Sequence, residues 1–300
     1  MSFSFKHFCV CPNCAQAIEE NTEYLVCSSC GKNYPIQNGI PILLNHENDQ
    51  KLREYIECYD QIAEDDLQKP IVSDMQKEIV HGGLLKFIGD VSNKRVLDIG
   101  SSQGLYLQRM KAEFRVALDI TRNYLEKIPK EPGVACLCAD AEHLPIVPGF
   151  FDVIIISDIL EHILNPPALV ACLRRVAGPH TRIIVHIPWE ESLDQYAAMD
   201  YKYTHLRNFT SYDIFSLFYD FRLCKRQFSV PMLKYPIFMT LEPYMPVPLF
   251  NWLRRRYFFH QTRSANEFER RCRWQRELPK REWWLRHIYK PTFRMLEFRY

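Results

Sequence analysis

Four of the eleven cysteines in this 300-residue chain have the spacing of a metal site. Cys11-Pro-Asn-Cys14 and Cys27-Ser-Ser-Cys30 are two Cys-x-x-Cys knuckles separated by 12 residues. Four thiolates at such spacing can close a tetrahedral zinc site with no open position, so the metal would be structural and not catalytic. Redox pairs are the competing reading. A cytosolic chain keeps its thiols reduced, which favours metal. Cys9 is a spare that could compete with Cys11 for one ligand place. A segment of about 45 residues buries little core, so a metal would hold it together.

A second set of chemistry-bearing residues follows short apolar runs. Asp98-Ile99-Gly100-Ser101-Ser102-Gln103-Gly104 closes the first run. Gly100 allows a tight turn, and Gly104 allows close packing behind it. A helix starting there would offer its N-terminus to an anionic group such as a carboxylate. Asp119 ends the second run, 19 residues beyond Gly100, and could accept hydrogen bonds from both ribose hydroxyls. Ala139-Asp140-Ala141-Glu142-His143 follows the third run, with an acid suited to an adenine edge. Ser157-Asp158-Ile159-Leu160-Glu161-His162 follows the fourth. The first two features alone would fit a nicotinamide cofactor equally well. The glycine pattern Asp-x-Gly-x-x-x-Gly, in place of Gly-x-Gly-x-x-Gly, argues against that.

These residues need elements to hold them. The runs at 95–99, 115–119, 134–138, 151–157 and 182–187 are apolar, and helices are expected between them, at 105–113 and 168–177. Apolar runs alternating with helices predict an α/β fold: a doubly wound, Rossmann-like, mostly parallel sheet. In such sheets ligands bind outside the carboxyl ends of the strands. Four parts are expected: a zinc ribbon at 1–46, a helical linker or lid at 47–93, the sheet domain at 94–228, and a basic, aromatic, α-rich C-terminal extension at 229–300. Leu52, Tyr55, Ile56, Tyr59 and Ile62 recur at helical intervals in the second part. As a lid, that helix would turn Tyr55, Tyr59 and Asp60 toward a ligand; as a linker it would only pack.

The run Gly31-Lys-Asn-Tyr34-Pro-Ile36-Gln-Asn-Gly39-Ile40-Pro41 after the second knuckle resembles a family of small zinc ribbons that activate tRNA and protein methyltransferases. This likeness covers residues 9–45 and implies structural Zn2+ and a protein partner met through the ribbon. The four strand-end motifs, in their order and spacing, resemble the class I S-adenosylmethionine-dependent methyltransferases over residues 94–190. The type-11 group, which includes the ubiquinone and menaquinone biosynthesis enzymes, fits the pattern best. The resemblance implies that Asp98, Gly100, Ser102 and Gly104 surround the methionine end of S-adenosyl-L-methionine. It also implies that Asp119 holds the ribose, that Asp140 and Ala141 contact the adenine, and that Ser157 lies near the cofactor. Ser102 stands where that family has glycine, and could narrow the loop.

A sulfonium already activates its methyl group, so such a protein mainly aligns a nucleophile in line with it. A base is needed only where the nucleophile carries a proton. Glu161, His162, His186 and His205 are the candidates. Glu161 and His162 are expected on the helix after the fourth strand, and His162 could equally be structural. His186 follows the fifth run and is expected to face the pocket. Tyr201, Tyr203, His205 and Arg207 precede Thr210, a suitable helix cap, and are expected where substrate is selected.

Composition narrows the acceptor less. The chain is 47% hydrophobic and 25% charged, which excludes a disordered chain. The net charge of +2 hides an imbalance: residues 251–300 carry 14 Lys and Arg against 5 Asp and Glu. Trp252, Trp274, Trp283 and Trp284 share that stretch. No leader pattern and no run of about 18 apolar residues is seen, so a cytoplasmic protein is expected. The first functional reading is methylation of a small-molecule or lipid- or glycan-linked metabolite. The basic tail would then lie on an anionic membrane, at its inner face. The second is a ribosomal or transfer RNA methyltransferase, because a ribosomal-RNA guanine methyltransferase family also begins with a zinc module. Basic residues interleaved with aromatics suit phosphate contact and base stacking. Against it, no Asn-Pro-Pro-Tyr-like motif for exocyclic amines occurs. The third is a non-catalytic cofactor-binding or partner-activating protein. The tail could also simply pack on the domain.

Overall fold

The structure is a computed structural model that describes residues 4–44, 49–69, 82–188, 201–209, 211–228, 231–233, 289–291 and 293–300. The chain opens with four short strands, β1 (Ile18–Glu20), β2 (Tyr24–Cys27), β3 (Asn33–Gln37) and β4 (Ile40–Leu43). Helices α1 (Gln50–Gln68) and α2 (82–88) follow. Then come β5 (Arg95–Ile99), β6 (Phe114–Asp119), α3 (Arg122–Leu125), β7 (Val134–Ala139), β8 (Val153–Ser157), α4 (Pro166–Val176) and β9 (Arg182–Pro188). The last described elements are α5 (Ser211–Leu217), β10 (Arg222–Phe228), β11 (Pro231–Leu233), β12 (Tyr289–Pro291) and β13 (Phe293–Arg299).

Eleven strands form one sheet in the order β1-β2-β3-β4-β7-β6-β5-β8-β9-β13-β10. The stretch from β4 through β9 is parallel. Strand order reverses at β5, which lies between β6 and β8, so a crevice opens at the carboxyl ends there. Both faces are covered. On β8, Ile154 and Ile156 point into one core while Val153 and Ile155 point into the other. That double burial is why these strands read as continuous apolar runs.

The ribbon belongs to the same body. β4 pairs in parallel with β7 through Ile42 with Cys138 and Leu43 with Ala139. Phe8 is fully buried, with its ring 5.3 Å from that of Phe114 and 5.5 Å from that of Phe150. Cys11, Cys27 and Tyr34 share a core cluster with Leu97 and Ile154.

Two sequence expectations change. No α-helix occupies 105–113; the chain makes turns and one 3-10 turn at Leu107–Arg109. The Arg115 guanidinium takes the carbonyls of Leu107 (2.9 Å) and Met110 (3.1 Å), acceptors that a helix would offer to its own amides. The dipole expected from that helix is therefore missing. The tail changes too. Its described residues are strands, and β13 pairs antiparallel with β9 from Phe293–Pro188 to Arg299–Arg182, and also with β10. The sheet thus takes a strand from beyond residue 228, covering an edge that β9 would expose. The helices expected at 229–300, with their four Trp, lie outside the described residues.

Phe298 is 1% exposed and stacks on Phe218 with centroids 4.6 Å apart at 9°. Phe298→Ala should cost about 3–5 kcal/mol and lower Tm in thermal unfolding. The exposed neighbour Tyr300, changed to Ala, should shift stability by less than about 0.5 kcal/mol.

Candidate active site

The site is built where β5 hands the chain to a turn. The N–H groups of Gly100 and Ser101 both donate to the Leu118 carbonyl, at 2.8 and 3.1 Å. That bond pair pins the turn to the end of β6. Gly100 (φ +70°) and Gly104 (φ +69°) are left-handed. A Cβ on Gly100 would stand 2.6 Å from Ile159 Cδ1, and one on Gly104 2.9 Å from Ile128 Cδ1. Both conformation and space therefore demand glycine. Ser102 is also left-handed, at φ +48°, which costs about 1 kcal/mol for a residue with a Cβ. The serine that stands at this position thus holds a left-handed turn conformation in which glycine carries no such cost.

Two buried acids flank this turn. Asp98 is 1% exposed, and its Oδ2 has no hydrogen-bond partner among the described residues. Burial, then the charge of Asp119, pushes its carboxyl well above the usual range. A cationic group brought close would restore the ionised form. Asp119 accepts the Ser102 N–H at 2.8 Å and the Thr121 N–H at 3.1 Å. Burial raises it to about 6, against the pull of those amides. Asp140 caps the 3-10 turn after β7 by accepting the Glu142 N–H at 2.8 Å. It also meets His143 Nδ1 at 2.6 Å and raises the pKa of that ring.

A pocket of about 900 Å³ opens over these strand ends. Gly100, Ser102, Asp119, Asp140 and Ala141 line it. So do Tyr55 and Tyr59 from α1, with His162, Tyr201 and His205. Asp98, Gly104 and Ser157 are not among the lining residues. Helix α1 starts at Asp49, whose carboxylate accepts the Leu52 N–H at 2.9 Å. It covers the pocket through Leu52, Tyr55 and Tyr59. The Tyr59 hydroxyl donates to the Tyr203 carbonyl at 2.8 Å, and Tyr124 donates to Asp66 at 3.1 Å. Asp60 departs from the expectation: it accepts from the Thr121 hydroxyl and does not line the pocket.

The candidate bases separate in space. Glu161 and His162 lie on the turns between β8 and α4, not on a helix, because Asn165 and Pro166 start α4 only afterwards. His162 and His205 line the pocket, with rings 4.6 Å apart at 86°. His186 is fully buried and does not line it. Its Nδ1 meets Asp158 Oδ2 at 2.9 Å and Ser157 Oγ at 3.2 Å. Ser157 also bonds the Tyr106 hydroxyl at 2.9 Å. Burial, the largest single influence, pushes Asp158 up, but the His186 ring, the Ser157 hydroxyl and the His162 ring together hold it below its ordinary value. His186 therefore positions Asp158, a pocket residue that sequence reasoning quoted without a role. Its left-handed φ of +52° was the only local sign, and only coordinates reveal it. Thr210 lies outside the described residues.

Away from the pocket, the four knuckle sulfurs cluster, with Cys11 and Cys30 Sγ 3.6 Å apart and Cys14 and Cys27 Sγ 3.5 Å apart. The Ala15 N–H donates to the Cys11 carbonyl at 2.8 Å and the Gly31 N–H to the Cys27 carbonyl at 2.9 Å, which curls each knuckle. The Lys32 amide lowers Cys30 to about 6. The buried Tyr34 hydroxyl touches Cys11 Sγ at 3.3 Å. Cys9 is buried and bridged to Ile146 by backbone, outside the cluster.

Residues 97–185 match the methyltransferase domain family Methyltransf_11. The chain is 26% identical over 125 residues to a tRNA U34 carboxymethyltransferase of Syntrophotalea carbinolica. It is 27% identical over 111 residues to the enzyme of the same name from Trichodesmium erythraeum. The matches span 39% and 34% of those relatives, and the same shares of this chain. A complex between the Haloferax volcanii Trm112 methyltransferase activator and a methyltransferase shares the fold. Its TM-score is 0.53 at 10% identity, over 82% of this chain and 96% of that one. The acid-and-glycine crevice lies within the 97–185 stretch that matches the methyltransferase domain family.

Proposed function

We propose that this protein transfers a methyl group from S-adenosylmethionine to RNA. The observation that carries the reading is one pocket lined by two unlike sets of residues. One set is Gly100, Asp119 and Asp140; the other is tyrosine and histidine rings. The unpartnered Asp98 oxygen and the cradle at Gly100 fit an aminoacyl end carrying an ammonium group. Asp119 would accept from the ribose hydroxyls, and Asp140 with Ala141 would meet the adenine edge. Ser157 acts one step removed, through Asp158. The bound sulfonium supplies an activated methyl group. The chain's own part is to orient the acceptor and exclude water beneath α1. His162, with Glu161 and His205 beside it, is the group best located to take a proton from the acceptor.

RNA moves ahead of the small-molecule and lipid readings. Two relatives that match 39% and 34% of the chain are named for tRNA. The pocket's rings offer stacking faces for a base. The tail, with 14 basic residues against 5 acidic, suits phosphate contact. Among the described residues no helix is long and apolar enough to cross a bilayer. The ribbon would carry one structural zinc and brace β7 through β4. A protein partner would meet its outer face.

Labelled adenosylmethionine incubated with lipid, small-molecule and RNA fractions of a cell extract should mark RNA; label confined to another fraction would refute this acceptor. Cofactor affinity should depend on Asp119. Its carboxyl sits near 6 in the free protein, so it is ionised at pH 7 and protonates as pH falls through 6. Protonation removes an acceptor for the ribose, so Kd measured by calorimetry should rise from pH 7 to pH 5. Asp119→Ala should bind at least about tenfold more weakly, with that slope gone. Zinc analysis of Cys27→Ser should show one equivalent fewer than wild type, together with a lower Tm.

A further inference from the structure

We propose that Glu161, His162 and His205 bind one divalent transition-metal ion on the pocket wall, distinct from the cysteine cluster. The ion's role rests on the methyl-transfer reading above, whereas the site stands on geometry. One carboxylate oxygen and two imidazole nitrogens lie within 4.8 Å of one another. Ligands that share an ion at bond lengths of about 2.0–2.2 Å are ~3–4 Å apart, so a small ring rotation closes the set. Two imidazoles and a carboxylate suit a catalytic type of centre, because three protein ligands leave coordination positions open.

Backbone bonds bring the donors together. Glu161 and His162 come from the turns after β8, and His205 from segment 201–209. The Leu206 N–H donates to the Glu161 carbonyl at 2.8 Å. Arg207 donates to the carbonyls of Ile163 and Leu164, the latter at 3.2 Å. His205 is thereby stapled beside the other two donors. From above, the Tyr55 hydroxyl donates to the His162 carbonyl at 3.3 Å, and the Tyr59 ring meets the His162 ring edge-on at 6.0 Å. Glu161 is 1% exposed, and a carboxylate that deep is stabilised by a nearby cation.

The location gives the ion a use. His162 and His205 line the pocket while Glu161 lies behind them, so the open positions face the cavity. The His162 N–H donates to the Ile159 carbonyl at 2.9 Å, and the Ile159 side chain packs against Gly100. The ion would thus sit near the methionine end of the cofactor. A hydroxyl of the acceptor could take an open position, where the metal lowers its pKa. With the His162 ring bound to the ion, the proton-accepting role passes from His162 to solvent, and the oxygen lone pair forms the new O–C bond. The S–C bond breaks with its electrons kept on sulfur, leaving a neutral thioether. The methyl acceptor would then be an oxygen atom.

Mn2+ is a suitable probe, because four thiolates disfavour it while imidazole and carboxylate accept it. Bound metal in the purified full chain is counted first, and the chain is then titrated with Mn2+ by loss of the free-ion resonance signal. The expected result is either two bound ions per chain or one bound ion plus one saturable Mn2+ site. Glu161→Gln and His205→Gln should each weaken that second site at least tenfold and leave the cysteine-held zinc in place. One bound ion and no Mn2+ site in the wild type would overturn the proposal, whether or not the variants fold. Unchanged second-site affinity in both folded variants would also overturn it. Methyl transfer plays no part in this readout. RNA labelling without a second ion sinks the metal site alone; a second ion without RNA labelling sinks only the RNA acceptor.

Discussion

The Leu118 carbonyl is the bond point on which the pocket hangs. It accepts two successive amides, those of Gly100 and Ser101, and so fixes the turn after β5 against the end of β6. Asp119, the next residue, takes the Ser102 amide and completes the clamp. Once the turn is held there, Gly100 must pass under Ile159, which ties the loop after β8 to the same point. Parallel pairing makes this possible, since β5, β6 and β8 all end on one edge of the sheet. An acid, a glycine turn and a histidine loop therefore converge without being neighbours in sequence.

The electrostatics follow from burial. Asp98, Asp119 and Asp140 are all nearly enclosed, and the two that stand closest to the turn are pushed upward. A ligand with an ammonium group and hydroxyl donors would relieve that cost, which is the physical content of the cofactor reading. Asp158 is treated differently. Its partner is a buried imidazole, so it is held low and anchored. Neighbouring carboxylates at one crevice are thus shifted in opposite directions, Asp98 and Asp119 upward and Asp158 downward.

The sheet is extended at both ends by pieces that the chain order keeps apart. The ribbon adds four strands beside β7, and the C-terminal β13 closes onto β9. Glu297 on β13 is buried and paired with Arg182 at 2.9 Å and Arg299 at 3.4 Å, so the strand carries its own register lock. Burial lifts that carboxyl, but Arg182 and Arg299 outweigh it and keep it low.

Local chemistry was legible in the residues themselves. Cysteine spacing marked the cluster, because a knuckle curls within four residues. Apolar runs marked the central strands, because burial on both faces leaves no room for polar alternation. Gly100 and Gly104 marked the turn, because no other residue fits their φ and space. What depends on distant partners was not legible. The helix expected at 105–113 yielded to Arg115, which takes its carbonyls from outside the segment. His186 and His162 look alike in sequence, yet one is sealed behind Asp158 and the other faces the cavity. The place of β13 could not be read either, since strand pairing is chosen by an open edge more than 100 residues away. Sequence determined the elements and the chemistry at their ends; only tertiary packing decided which ends meet, because that depends on register and burial between segments distant along the chain.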